Sequence, residues 1–106
     1  MARTLITLPK TARRGEVIDI RTLIAHSMES GFRVDAEGKV RPRDIVRRFS
    51  CRYNGDLVFS AELFSAVAAN PYIAFSTVAQ DSGTLSFTWE GDNGFSQTET
   101  LPISVT

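Results

Sequence analysis

Cysteine and histidine are almost absent from this sequence. Its 106 residues contain one cysteine, Cys51, and one histidine, His26. A single cysteine excludes an internal disulfide framework, and a single histidine excludes a zinc site built within the chain from several Cys and His ligands. His26 would also have to be the base of any Ser-His-Asp or Cys-His apparatus. We therefore expect neither an independent enzyme nor a cofactor.

Long apolar runs are also missing. The longest span only a few residues, as at 66–69, whereas a membrane-spanning helix needs about 20. Residues 1–9 contain no apolar core of roughly 7 to 15 residues and no small-residue cleavage site, so no secretory signal is expected there. The GxGxxG, P-loop, HExxH, CxxC and GxSxG motifs are absent as well. Without the nucleophile, metal or phosphate cradle that such motifs supply, we expect a function carried by surfaces.

Basic residues are missing from the second half of the chain. Residues 54–106 carry six acidic residues and no Lys or Arg, whereas residues 1–53 carry twelve Lys and Arg against six acidic residues. This asymmetry suggests an anionic ligand or an acidic partner. The alternative is an antiparallel fold that interleaves strands from both halves and mixes the signs in space. Nucleic acid is not the expected partner, because the pI is about 6.6 and few aromatic residues accompany the arginines.

The sequence is otherwise rich enough in apolar residues to fold. Apolar residues make up 42% of it and charged residues 23%, which suits one core in a domain of this size. We therefore expect a single domain over residues 1–106.

Alternation of apolar and polar residues is the main secondary-structure signal. It is unbroken over residues 84–90, which predicts a strand with Leu85, Phe87 and Trp89 pointing into the core. Similar patterns predict strands near residues 4–8, 15–26, 45–53, 57–63 and 72–79, and a last strand near residues 96–100 with a continuation toward residue 105. Residues 54–55 and 91–94 have the composition of hairpin turns. About seven short strands without βαβ alternation predict an all-β, immunoglobulin-like antiparallel sandwich.

Two segments do not fit this alternation. Residues 62–69 are rich in alanine and other good helix formers, which predicts a short helix or a loop that ends before Pro71. Residues 27–42 contain glycines and a proline among many charges, which indicates a long connection with a small hairpin about Gly38.

A concentration of arginines is the first candidate site. Paired guanidinium donors match the oxygens of sulfate, phosphate or carboxylate groups. The candidate contacts for an anion or a partner are Arg33, Arg43, Arg47 and Arg48. The alternative is a solvated strand face that protects an exposed sheet edge.

His26 and Met28 form the second candidate site, where a strand meets the long connection. A histidine and a methionine together could touch a sulfur-bearing group or bind a soft metal, although two ligands do not make a metal site. The alternative is a histidine that caps backbone groups beside a methionine that fills a gap. Cys51 is a third candidate, and its position beside Phe49 and Tyr53 favours a buried, inert thiol over a cross-link to a partner.

Segments spread over nearly the whole chain resemble the SoxZ family. The most specific are His-x-Met-Glu-x-Gly at residues 26–31 and Asn-Pro-Tyr at residues 70–72. Further matching positions, in the same order as in the family, lie at residues 15–16, 23–25, 33, 35, 38, 42–43, 45, 49–51, 53–55 and 82–89. Ser27 departs from the pattern, because many members have proline there.

The resemblance implies the non-catalytic Z subunit of the SoxYZ carrier of thiosulfate oxidation. Its heterodimer partner would be SoxY, whose C-terminal Gly-Gly-Cys-Gly-Gly arm carries sulfur intermediates as cysteine adducts. This sequence lacks such an arm. The resemblance further implies a periplasmic location reached by export together with SoxY, and transient contacts with other sulfur-oxidising Sox enzymes. An isolated subunit is expected to expose an apolar patch and to self-associate through it.

The resemblance to the SoxZ family gives each candidate site an expected role. We expect the four arginines to guide the negatively charged thiosulfate or sulfonate adduct toward its partners. We expect His26 and Met28 to line the cavity where the carrier arm rests. Two competing classes remain open: a free-standing immunoglobulin-like module that binds an oxyanion or an acidic protein, and an enzyme that uses His26 and Cys51. The enzyme requires those two side chains within hydrogen-bond reach.

Overall fold

Eight strands in two sheets make up the molecule. The computed structural model describes residues 2–106, so Met1, the first residue of the segment searched for a secretory signal, lies outside it. The strands are β1 Thr4–Thr7, β2 Thr11–Ala12, β3 Val17–Ile24, β4 Val46–Tyr53, β5 Asp56–Glu62, β6 Tyr72–Val78, β7 Gly83–Gly91 and β8 Ser96–Val105. One sheet has the order β1-β3-β6 and the other β2-β8-β7-β4-β5. The all-β, immunoglobulin-like sandwich predicted from the alternation is confirmed.

The core lies between the inner faces of the two sheets. Leu85, Phe87 and Trp89 on β7 are fully buried, as the alternation predicts. Phe49 on β4 lies at the centre of an aromatic cluster, with its ring centroid 5.3 Å from that of Trp89 and 5.9 Å from that of Phe75. The facing layer comes from β3, whose inward residues are Ile18, Ile20, Thr22 and Ile24.

The hairpin between β4 and β5 turns at residues 54–55. Asn54 and Gly55 have φ values of 49° and 88°, the left-handed conformations that a two-residue hairpin turn requires. Tyr53 pairs directly with Asp56 across this turn. A register shift farther along β5 leaves Val58 without a paired residue, so the strand carries a bulge.

Residues 63–71 form turns, so of the two predictions for this stretch the loop is the one observed. The amide of Val67 donates to the carbonyl of Phe64 at 3.0 Å, and the amide of Asn70 donates to the carbonyl of His26 at 2.7 Å. The alanine-rich stretch is too short to sustain a helix on propensity alone. No helix in residues 2–106 has the length and hydropathy of a membrane span.

The connection between β3 and β4 folds back on itself as a two-stranded ribbon. We call residues 29–44 the arm; this segment of the chain is distinct from the C-terminal carrier arm mentioned above. Backbone bridges join Glu29 to Asp44 and Val34 to Val40, and Gly38 takes a positive φ of 82° at the tip. The hairpin predicted about Gly38 is therefore confirmed. The molecule is elongated, with principal extents of 59 × 20 × 20 Å.

Candidate functional site

Asp92 forms ion pairs with two of the predicted arginines, at the point where the arm joins the sandwich. Arg43 donates to both carboxylate oxygens of Asp92 at 2.9 Å, and Nε of Arg47 lies 3.2 Å from Oδ1. The backbone amide of Ile45 donates to Oδ2 at 3.2 Å. The hydrogen bonds from Arg43, together with the Ile45 amide and the charge of Arg47, hold the pKa of Asp92 below its usual value, although partial burial opposes this shift.

Three of the four predicted arginines line one shallow cleft. We call it the arginine cleft; it encloses about 290 Å³ and is lined by Arg43, Arg47, Arg48, Glu62, Leu63 and Phe64. Arg43 and Arg47 share the single carboxylate of Asp92. Among residues 2–106, no carboxylate oxygen lies within 4.0 Å of the Arg48 guanidinium. Glu62 in the lining and Asp92 beside it offset two of the three arginine charges, so the cleft keeps a surplus of one positive charge beside Phe64, which is 65% exposed.

Arg33 lies apart from this cleft, on the arm. Its Nε and Nη2 donate to the two carboxylate oxygens of Glu29 at 3.1 and 2.9 Å. This bond lowers the pKa of Glu29, with the charges of Arg33 and Arg41 adding to the effect and desolvation opposing it. The two residues are four positions apart, so the pair braces one strand of the arm.

His26 and Met28 tie the start of the arm to the sandwich. Nδ1 of His26 accepts a hydrogen bond from the Met28 amide at 3.0 Å, and its ring packs edge-on against Phe95. This bond leaves the proton of a neutral imidazole on Nε2, which lies 4.0 Å from Oδ1 of Asp44. Met28 is 5% exposed, and its sulfur accepts from the Val46 amide at 3.2 Å. Both side chains therefore have structural partners, and their contact with a carrier arm stays a prediction.

Cys51 lies in the interior of β4. Its side chain is fully buried, and desolvation raises the pKa of the thiol to about 12. At neutral pH the group is protonated, so it lacks the thiolate that nucleophilic catalysis requires. The hydrogen bonds and ring contact of His26 go to residues other than Cys51. Nothing in the geometry supports the two as a catalytic pair.

The charged halves of the sequence are interleaved in the five-stranded sheet. Strand β4, which is basic, lies between β5 and β7, which are acidic. Arg48 has Glu62 as its cross-strand neighbour on one side and Glu90 on the other. Much of the asymmetry along the sequence is therefore mixed in space, which leaves the arginine cleft as a local surplus.

Sequence reasoning misses two residues of this site, Asp92 and Phe64. The local pattern places Asp92 only in the turn at residues 91–94, because its partners are distant in sequence. Phe64 lies in the ambiguous segment at residues 62–69. Within the described residues, no group of three or more His, Cys, Asp or Glu side chains is placed to hold a metal ion.

Together, the fold and the site define an immunoglobulin-like sandwich whose surface offers a cleft lined by arginines. The sequence model of the family described as "Sulphur oxidation protein SoxZ" matches residues 6–102. The chain belongs to the SoxZ family, and it is thus a component of the Sox system of sulfur oxidation. A search of curated proteins found none that matches its sequence.

Solved structures with the same fold are distant in sequence. The superoxide reductase (neelaredoxin) from Ignicoccus hospitalis superposes with a TM-score of 0.76 at 14% identity, over 99% of this chain and 82% of that one. The sulfur carrier protein SoxY from Chlorobium limicola f. thiosulfatophilum superposes with a TM-score of 0.66 at 12% identity, over 97% of this chain and 78% of that one. At these identities the likeness establishes the fold.

Proposed function

We propose that this chain is the non-catalytic partner of SoxY in a SoxYZ carrier, in which SoxY bears the sulfur intermediate. The observation that carries the proposal is the SoxZ family match over residues 6–102. The chemistry of the chain agrees with it. Cys51 is buried with a raised pKa, and His26 is occupied by backbone and ring contacts, so the carrier chemistry rests on the partner.

The arginine cleft is the part of this chain that we assign to guiding the anionic adduct. Its surplus charge lies where the arm ends and joins strand β4, and Arg48 is its one arginine without an ion pair in residues 2–106. Long-range attraction of this kind speeds encounter and weakens as salt rises. Arg33 adds its charge from the arm, where Glu29 partly offsets it.

We assign the complex to the periplasm, where the chain arrives by export together with SoxY. Other sulfur-oxidising Sox enzymes would then meet the complex transiently to act on the adduct. This proposal rests on the resemblance of the chain to the SoxZ family.

Co-expression with SoxY tests the pairing. We expect the two chains to co-elute in size-exclusion chromatography as a one-to-one complex, with mass spectrometry locating sulfur adducts on the SoxY cysteine. Elution of two separate, stable monomers would contradict the proposal and favour a free-standing binding module.

Replacing Arg48 with glutamine tests the guidance role. Arg52→Gln is the matched control, because it removes the same charge from the same strand while lying beyond the lining of the cleft. At low salt we expect Arg48→Gln to slow association of the loaded carrier with its enzymes several-fold, and the deficit to shrink as salt is raised. Equal effects of the two variants would contradict a role for the cleft.

A further inference from the structure

Strand β6 ends the three-stranded sheet with one side unpaired. Its neighbour β3 is bonded through alternate residues, since the Ile24 amide donates to the Pro71 carbonyl at 3.3 Å and the Ala79 amide donates to the Glu16 carbonyl at 2.8 Å. Bonded and non-bonded pairs alternate along an antiparallel ladder. The residues of β6 whose backbone groups face away from β3 are therefore Tyr72, Ala74, Ser76 and Val78.

These four residues present four N–H and four C=O groups in a row. In residues 2–106, β6 pairs with β3 alone, and no other hydrogen bond reaches these groups. Such a row is a template for another extended chain.

The sequence of β6 has none of the features that keep a sheet edge from pairing. Its seven residues, Tyr-Ile-Ala-Phe-Ser-Thr-Val, include no charge, proline or glycine, and its register with β3 is continuous. The other terminal strands are protected: β1 has four residues, β2 has two, and β5 carries a bulge between the acidic residues Asp56 and Glu62. Short strands, bulges and charges are common means of blocking an edge, so β6 is the exception among these strands.

The core is also incompletely covered beside this edge. The rings of Phe59 on β5 and Phe75 on β6 stack in parallel, 4.4 Å apart at 9°, yet both side chains are only partly buried. Tyr72 and Val78 are 58% and 45% exposed on the outer face of β6. A strand added at this edge would pair the backbone row and shield apolar surface at once.

We propose that β6 pairs edge to edge with a strand of SoxY, so that one sheet continues across the two chains. This rests on the proposed function, which makes SoxY the partner. The unpaired row requires an extended strand, and SoxY is a partner built of such strands, since a SoxY structure has the same sandwich fold. The absence of charge on β6 suits a permanent subunit interface better than a transient, salt-dependent contact.

Residue-resolved amide exchange of the chain alone and in the SoxY complex tests this assignment. The amides of Ile73, Phe75 and Thr77 face β3 and are expected to be protected in both states. Those of Ala74, Ser76 and Val78 face outward, and we expect their exchange to slow at least tenfold in the complex. A complex that forms while these amides exchange unchanged would overturn the inference and leave the pairing with SoxY intact.

Two other outcomes also decide the question. Absence of any complex would overturn both the inference and the proposed function. Protection of the same amides in the isolated chain, rising with its concentration and unaffected by SoxY, would assign the edge to a second copy and overturn the SoxY assignment.

A proline at Ser76 provides a second test. Ser76→Pro removes an outward N–H and leaves the bonds to β3 in place. Ser76→Ala is the matched control, because both variants lose the hydroxyl bond to Asp19 while alanine keeps the amide. We expect Ser76→Pro to weaken SoxY binding at least tenfold and Ser76→Ala to bind within about twofold of the parent. Parental binding by a folded Ser76→Pro variant would overturn the proposal, and if that variant does not fold, amide exchange of the unaltered chain is the deciding measurement.

Discussion

Arg43 and Asp92 lie 49 positions apart in the sequence and face each other in bidentate geometry, with Nε and Nη2 of Arg43 each 2.9 Å from a carboxylate oxygen. The pair fastens the second strand of the arm to the turn between β7 and β8. Because Asp92 also accepts the Ile45 amide, one carboxylate fixes the point at which the arm leaves the sandwich.

Asp92→Asn is expected to lower stability, because the amide keeps the shape of the side chain and loses the charge that both arginines contact. The folded state lowers the pKa of Asp92, so the carboxylate stabilises the fold above the ordinary carboxyl pKa of about 4, and this contribution is lost as the pH falls through the lowered value. Urea unfolding should show the largest difference between parent and variant near neutral pH, and a shrinking difference in acid.

Asp81→Asn is the control for that measurement. Asp81 pairs with Arg14 at 2.6 Å, but both side chains are 68% exposed, and exposed pairs contribute little. An equal loss in the two variants would contradict the assignment of a structural role to Asp92.

Cys51 is expected to resist thiol reagents in the folded protein. A pKa of about 12 against the ordinary 9.0 lowers the thiolate fraction at pH 8 roughly a thousandfold, and burial blocks access as well. Labelling with a chromogenic disulfide should therefore be negligible in buffer and rapid in denaturant. Fast labelling of native protein would show that β4 opens readily.

Gly83 lies on β7, next to the turn between β4 and β5. Gly83→Ala is expected to destabilise that turn. A Cβ at Gly83 would overlap the amide group of Asn54, whose Oδ1 accepts the Thr84 amide at 2.9 Å. Displacing that side chain forfeits the bond, at about 1 kcal/mol. Asn54→Gly removes the obstacle and keeps a residue suited to positive φ. In a double-mutant cycle, we expect the pair to cost about 1 kcal/mol less than the sum of the single variants; simple additivity would contradict the clash.

Phe49→Ala is expected to cost about 3–5 kcal/mol, as for large-to-small changes at fully buried aromatic positions. Its ring neighbours those of Phe59, Phe75, Phe87 and Trp89, so the cavity would open between the two sheets. Phe49→Leu fills most of that space and should cost clearly less. Denaturant unfolding monitored by Trp89 fluorescence compares the two. Similar losses for both variants would show that ring packing, more than volume, stabilises this layer.

Strands were predictable from the sequence wherever one face is buried along the whole element. Strand β7 and the inward face of β3 follow strict alternation, and the turn at residues 54–55 has its own chemical signature. The strand predicted at residues 15–26 is shorter in the structure, at Val17–Ile24. Gly15 is in a turn with φ 87°, and His26 bonds to Asn70, whose side chain accepts the His26 amide at 3.0 Å and whose amide donates to the His26 carbonyl at 2.7 Å. Strand ends depend on such partners, which local pattern does not reveal.

The candidate site was predictable in its residue types and less so in its arrangement. Arginine density located Arg43, Arg47 and Arg48, but their common neighbour Asp92 comes from a turn remote in sequence. The free edge of β6 shows the same limit. Its apolar residues predict a strand, whereas its position at the end of a sheet follows from the order β1-β3-β6, which depends on pairings between distant segments.

The arm also provides a place where the chain can be cut into two fragments. Its tip at Gly38 is exposed and lies between β1–β3 on one side of the sequence and β4–β8 on the other, so a cut there severs no sheet hydrogen bond. The two fragments would still meet through the seven-residue register between β3 and β6 and the core between the sheets. A chain opened at an exposed loop and held by internal pairing is suited to fragment complementation, so the arm is a suitable place to split this subunit into a two-part reporter of its own assembly.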